Sequence, residues 1–180
     1  MTLINYETLP KTMVGTFYNL FGGDGTFSRN NFVDIVDASN LILNAKILTN
    51  DCYANMFDSC TSMLYGPKIE AEILAPYCCY KMFYDCASLM TAPELPATHL
   101  EKECYAHMFY GCTSLTVAPT LPATELANKC YNYMFSECTS LTTAPNVLPA
   151  TTLDYYCYSY MFYNCTSLET APVLPATTLV

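Results

Sequence analysis

The chain has 180 residues, 52% of them hydrophobic, with 7 basic against 16 acidic side chains and a net charge of −9. That balance argues against nucleic-acid binding, whose affinity comes from Lys and Arg neutralising phosphates, and against an anionic membrane surface for the same reason. Neither Lys nor Arg occurs after Lys129, and no stretch reaches the roughly 18 uninterrupted apolar residues of a membrane span, so no membrane insertion is expected.

Residues 1–48 read as an irregular N-terminal cap. The opening Met1–Thr–Leu–Ile–Asn–Tyr6 has no basic segment followed by an apolar one, so it does not have the form of a secretory leader. Four of the six glycines lie within the first 25 residues, three of them in Gly22–Gly–Asp–Gly25. That stretch reads as a plain turn, because it lacks both the ligand spacing of a calcium loop and the Gly–Lys–Ser/Thr of a phosphate loop. Tyr18–Asn–Leu–Phe21 is a worn copy of a core that the rest of the chain repeats. Terminal units of a repeat array are atypical because one side faces water.

From residue 49 to 180 the chain is a repeat. Met–Phe pairs begin at Met56, Met82, Met108, Met134 and Met161, and the one longer step carries an extra residue in Ala144–Pro–Asn–Val–Leu–Pro149. A fixed period in the twenties marks units that bury their apolar faces only by stacking on neighbours. Each of the five copies reads as helix, turn, short strand, turn. At about 100° per residue from Leu100, the side chains of Cys104, Tyr105, Met108, Cys112 and Leu115 share one apolar arc. Thr98–His–Leu–Glu101 has the form of a capping box. Parallel strands at about 4.8 Å on one wall and helices at about 8–10 Å on the other would make the stack curve. The expected fold is therefore α/β: a horseshoe-shaped solenoid with strands on the concave side, helices on the convex side, and no cap after the last copy.

The unit Cys–Tyr–x–x–Met–Phe–x–x–Cys–Thr–Ser–Leu, followed by Ala–Pro–x–Leu–Pro–Ala–Thr–x–Leu, resembles the BspA-type leucine-rich repeats of bacterial surface proteins. Residues 41–180 carry the resemblance, with Cys79 standing where other copies have Tyr and Met63 where they have Leu. It implies a non-catalytic module for adhesion or protein binding at a cell surface.

Ten of the eleven cysteines occupy two repeat positions: 52, 78, 104, 130, 157 and 60, 86, 112, 138, 165. Eight residues of helix separate the two positions by about 12 Å, and neighbouring helices would hold equivalent positions about 8–10 Å apart. Both exceed the roughly 4.4–6.8 Å between the Cα atoms of a disulfide. Zinc-type pairs such as Cys–x2–Cys are absent. These thiols are expected to be reduced and buried, with no metal and no cofactor; Cys79 is expected to turn half outward and to react most readily.

Binding residues are sought among helix positions that the repeat leaves free to vary. These include Ala54, Ala106 and Ser136, together with the candidates Tyr80, Tyr84, His107, Tyr110, Tyr133, Tyr160 and Tyr163. Tyrosine offers contact area and a hydroxyl at little entropic cost. A second outward row, Tyr65, Thr91, Val117, Thr143 and Thr170, offers little chemistry. With only His99 and His107, both at outward positions, no Ser/His/Asp or Cys/His pairing falls on one face, so no enzyme is expected. The expected function is recognition or adhesion, binding protein or glycan on a cell or particle surface. The competing expectation is a structural subunit of a virion assembled in the cytoplasm, or of a filament, self-associating through its open C-terminal edge and Tyr-rich face.

Overall fold

The repeating element is a ribbon of tight turns, and the geometry comes from a computed structural model that describes residues 35–179. The Tyr18–Phe21 segment and the glycine-rich turn at 22–25 lie outside the described residues. The ribbons occupy residues 50–59, 76–85, 102–111, 128–137 and 155–164. Every fourth residue in them has a positive φ: Asp51, Asn55 and Ser59 at 55°, 53° and 60°, and likewise Glu103, His107 and Gly111 at 51°, 56° and 71°. A right-handed helix cannot include such residues. Among the described residues there is no helix, which overturns the expected α/β horseshoe with helices on its convex side.

Hydrogen bonding explains the choice. The N–H groups of Ala54, Met56, Asp58 and Cys60 donate to the carbonyls of Asp51, Tyr53, Asn55 and Phe57, three residues back, at 3.1–3.2 Å. The intervening N–H groups of Tyr53, Asn55, Phe57 and Ser59 donate at 2.7–2.9 Å to Cys78, Tyr80, Met82 and Tyr84 in the next coil. Each later ribbon repeats this alternation up to Glu137, whose N–H reaches the Tyr163 carbonyl at 2.8 Å. A helix would consume every N–H inside itself through bonds to the fourth residue back and leave none for a neighbour. The turn ribbon satisfies its backbone in two directions at once.

The inward side chains disguised this. Cys52–Tyr53, Met56–Phe57 and Cys60 recur every four residues, and over eight residues a period of 4 departs from the helical 3.6 by only about 80°. The capping-box reading also fails. The Thr98 carbonyl accepts from Thr124 and Glu125 N–H of the next coil at 3.0 and 3.3 Å, so this stretch belongs to a ladder.

The regular strands are short and parallel. β1 (Ile42–Leu43) pairs with β2 (Lys68–Ile69), and β3 (Thr152–Leu153) pairs with β4 (Thr178–Leu179). Single parallel bridges continue the ladder at Tyr65↔Thr91, His99↔Glu125, Val117↔Thr143 and Thr143↔Thr170. Prolines limit further pairing because they have no N–H to give. The extra residue of the fourth coil is absorbed locally. Thr143 pairs 27 positions ahead, but Val147 pairs with Val173 only 26 ahead, so the bulge is confined between residues 143 and 147.

Identical side chains therefore stack at ladder spacing. Phe57, Phe83, Phe109, Phe135 and Phe162 form one column with ring centroids 5.4–5.6 Å apart and planes within 7° of parallel. Beside it Met56, Met82, Met108 and Met134 are fully buried. Tyr105, Tyr131 and Tyr158 form a second column at 6.0 and 5.8 Å, and the hydroxyls of Tyr105 and Tyr158 have no partner among the described residues.

Three outcomes test this architecture. Far-UV circular dichroism of the folded chain lacks a helical signature. Phe109→Ala destabilises by about 3–5 kcal/mol in urea titration, because a fully buried ring leaves a gap in a stacked column. Tyr105→Phe is neutral or stabilising by about 1 kcal/mol, since it removes a buried hydroxyl with nothing to bond.

Candidate functional site

Side chains on the outward edge of the ribbons line up from coil to coil just as the inward ones do. The middle positive-φ position carries Asn55, Lys81, His107, Tyr133 and Tyr160. His107 stacks on Tyr133 at 4.9 Å and 6°, and Tyr133 stacks on Tyr160 at 4.7 Å and 14°. Three residues further along each ribbon, Tyr84 stacks on Tyr110 at 4.7 Å and 5°. Tyr80 meets His107 edge-on at 5.7 Å, and Tyr84 and Tyr110 lie 6.4 and 6.0 Å from the same imidazole. Tyr80, Tyr84, His107, Tyr110 and Tyr133 thus form one half-buried cluster. Tyr160 and Tyr163, edge-on to each other at 6.0 Å, lie on the last described ribbon and remain 56% and 57% exposed.

Three positions expected to face outward do not: Ala54, Ala106 and Ser136 are buried. These three small side chains, each following an inward Tyr or Phe, are covered by their neighbours, whereas the larger Tyr84 and Tyr110 at equivalent positions reach the half-buried edge. His107 is not freely exposed either. Its ring is half-buried among four tyrosines, and its Nδ1 has no partner among the described residues. Burial, with the Lys81 charge adding to it, pushes this imidazole down to about 4.

Two cations complete the face. Lys81 Nζ lies 4.7 Å from the Tyr84 ring centroid and 5.4 Å from that of Tyr80, and Lys102 Nζ lies 5.4 Å from that of Tyr77. Cations over ring faces are attracted by the ring quadrupole. Tyr77 was not singled out from the sequence, although it stands four residues before Lys81 on the edge now known to repeat every four. Burial, followed by the charge of Asp85, pushes the Tyr84 phenol up to about 12, so it remains a neutral hydroxyl.

The cysteine expectations divide. All eleven are free; nine of the ten at repeat positions are buried and Cys165 is half-buried. Cys79 was expected to turn outward and react. It is fully buried instead, and its Sγ lies 3.9 Å from Cys78 Sγ. That contact and burial both push its thiol well above the ordinary range, which removes the reactive thiolate. The thiols of Cys86, Cys112, Cys138 and Cys165 donate to the carbonyls of Phe57, Phe83, Phe109 and Phe135 in the preceding coil at 3.0–3.2 Å.

Little else invites chemistry. Among the described residues no group of three or more His, Cys, Asp or Glu side chains is placed to hold a metal ion. Also among them, no helix is long and apolar enough to cross a membrane. His99 pairs with Glu125 at 2.7 Å and Glu101 at 3.6 Å on the surface. The Tyr65, Thr91, Val117, Thr143, Thr170 row is exposed along the bridges.

The imidazole makes stability depend on pH. His107 is harder to protonate folded than unfolded, so it leaves stability unchanged above its ordinary value of 6.5 and lowers it as pH falls toward about 4. Asp85, held above the usual carboxylate range by burial, has the opposite sign. The midpoint of thermal unfolding is therefore expected to fall between pH 6.5 and 5, and His107→Gln to flatten that part of the profile. Comparison with protein-family models, with curated proteins and with solved structures finds no match to this chain.

Proposed function

We propose that the chain is a non-catalytic recognition module that binds a protein partner through the Tyr80–Tyr84–His107–Tyr110–Tyr133 face, displayed on a cell or particle surface. The observation that carries this reading is the concentration of six half-buried aromatic rings and two ring-bound cations on one edge of the ribbons, Tyr77 included. Rigid aromatic side chains with hydroxyl tips supply interface energy at small entropic cost. The BspA-type resemblance points to the same class of function.

Between protein and glycan, ring geometry favours protein. In this face Tyr84 and Tyr110, and His107 and Tyr133, cover each other's faces at 4.7–4.9 Å. Each of these four rings therefore gives one face to its partner, which leaves less free face for a sugar ring to stack on than for a polypeptide that meets edges and hydroxyls.

A second reading rests on a different observation. On the last described ribbon the N–H groups of Tyr156, Tyr158, Tyr160 and Phe162 find no acceptor among the described residues. That edge offers donors only, so it pairs with a carbonyl-presenting coil and not with a copy of itself. In the second reading, a structural subunit of a virion or filament, such a coil comes from another copy.

Panning a displayed peptide library on the folded chain tests the first reading. Binders are expected to weaken tenfold or more on Tyr80→Ser or Tyr110→Ser, about 1.4 kcal/mol, and to ignore Thr91→Ser and Thr143→Ser. Tyr163→Ser serves as a control whose stability stays within about 0.5 kcal/mol of the parent. Binders indifferent to the tyrosines, or strong retention on a glycan array, would refute it. Self-association that grows with concentration and is lost when the last ribbon is altered would favour the second.

A further inference from the structure

The turn ribbons bring the cysteines closer than helices would. Successive coils are joined by Tyr53 N–H to the Cys78 carbonyl at 2.8 Å, Cys79 to Cys104 at 3.0 Å, Tyr105 to Cys130 at 3.1 Å and Tyr131 to Cys157 at 3.0 Å. Each bond sets one cysteine of the 52, 78, 104, 130, 157 column beside the next at ladder spacing, about 4.7–4.9 Å. That falls within the roughly 4.4–6.8 Å range between bridged Cα atoms. The helix spacing of about 8–10 Å, which had excluded such bridges, does not apply.

The two columns differ in what their sulfurs do. Cys86, Cys112, Cys138 and Cys165 use their S–H groups as donors to phenylalanine carbonyls. The thiols of Cys52, Cys104, Cys130 and Cys157 donate to no carbonyl in this way and only receive nearby backbone N–H groups, and Cys78 Sγ lies 3.9 Å from Cys79 Sγ. Bridging the second column would sacrifice donated S–H bonds, whereas bridging the first removes none of that kind to a carbonyl. Cys79 has Tyr53 and Tyr105 at its own position in the neighbouring coils, so it has no partner along its column.

We propose that the Cys52, Cys78, Cys104, Cys130, Cys157 column is a set of latent cross-links between neighbouring coils, closed in pairs by a low-molecular-weight disulfide as the chain folds. A thiolate of one cysteine attacks the oxidant R–S–S–R, forming a mixed disulfide and releasing RS⁻. The neighbouring cysteine, also deprotonated, attacks the protein sulfur of that mixed disulfide and expels the second RS⁻. Two protein S–H bonds and one S–S bond are replaced by one protein S–S bond and two R–S–H. Oxidation has to precede burial, because in the folded chain the column is closed to solvent. Five members allow two bridges.

The full chain, refolded from denaturant in a glutathione redox buffer or in dithiothreitol, is quenched in acid, alkylated and mapped by mass spectrometry. Two bridges are expected in glutathione, each joining first-column cysteines one coil apart, with Cys60, Cys79, Cys86, Cys112, Cys138 and Cys165 alkylated. Cys104→Ala is expected to leave only Cys52–Cys78 and Cys130–Cys157. Should that variant fail to fold, the parent map decides alone. Eleven alkylated thiols after oxidative refolding, a Cys78–Cys79 bridge, links between the two columns or links between molecules would each overturn the proposal.

Discussion

Every second N–H of a turn ribbon leaves its own coil and bonds to the next, and the rest of the structure follows from that. Such a bond forces neighbouring coils to ladder spacing and fixes their register, because donor and acceptor alternate along the ribbon. It requires a positive φ every fourth residue, since only that reversal turns alternate N–H groups along the stack. The cost of those backbone positions, on the order of 1–3 kcal/mol each where the residue is not glycine, is offset because nearly the whole backbone of each inner ribbon is satisfied. At Gly111 the requirement is stricter still, because the space a side chain would need is taken by the Asp85 carboxylate.

Ladder spacing then selects side chains by how well each stacks on its own copy. Flat rings pack on flat rings, as in the phenylalanine column. Thiols are small enough to sit above one another and polar enough to meet the second lone pair of a phenylalanine carbonyl. The same rule operates outside, where tyrosine, histidine and lysine align. Several outer rings stack face to face on one another, Tyr84 on Tyr110 and His107 on Tyr133 and Tyr133 on Tyr160. Surface ion pairs such as Lys46–Glu72, at 2.9 Å and one coil apart, follow the register but add little in water.

The sequence shows the periodicity and the identity of most inward residues plainly. Met–Phe pairs, the two cysteine positions and the inward Tyr53, Tyr105 and Tyr131 are buried as their pattern requires, except that Phe162 and Cys165 on the last described ribbon are half-buried. Local conformation was hidden, because within one ribbon a four-residue rhythm and a helical one place almost the same side chains inside. The signal that separates them is the residue type at the fourth positions: Asp51, Asn55, Asp85, Gly111 and Asn164 are tolerant of positive φ, although Tyr133 and Tyr160 at such positions are not. Spacing between coils depends on that conformation, so the helix reading also misjudged how near the sulfurs lie. Of the candidate binding residues, five gather into one cluster, but nothing in the sequence alone revealed that His107 is wedged among the others.

The fourth coil is one residue longer than its neighbours, and the extra length is swallowed between residues 143 and 147 without disturbing pairing on either side. Register is therefore set by the ribbons and short bridges, while the corner at Pro145–Asn146 is free to vary in length. Lineages of this chain would gain new surface most cheaply by lengthening that corner, and a foreign loop grafted there would be carried by a scaffold that does not have to rearrange.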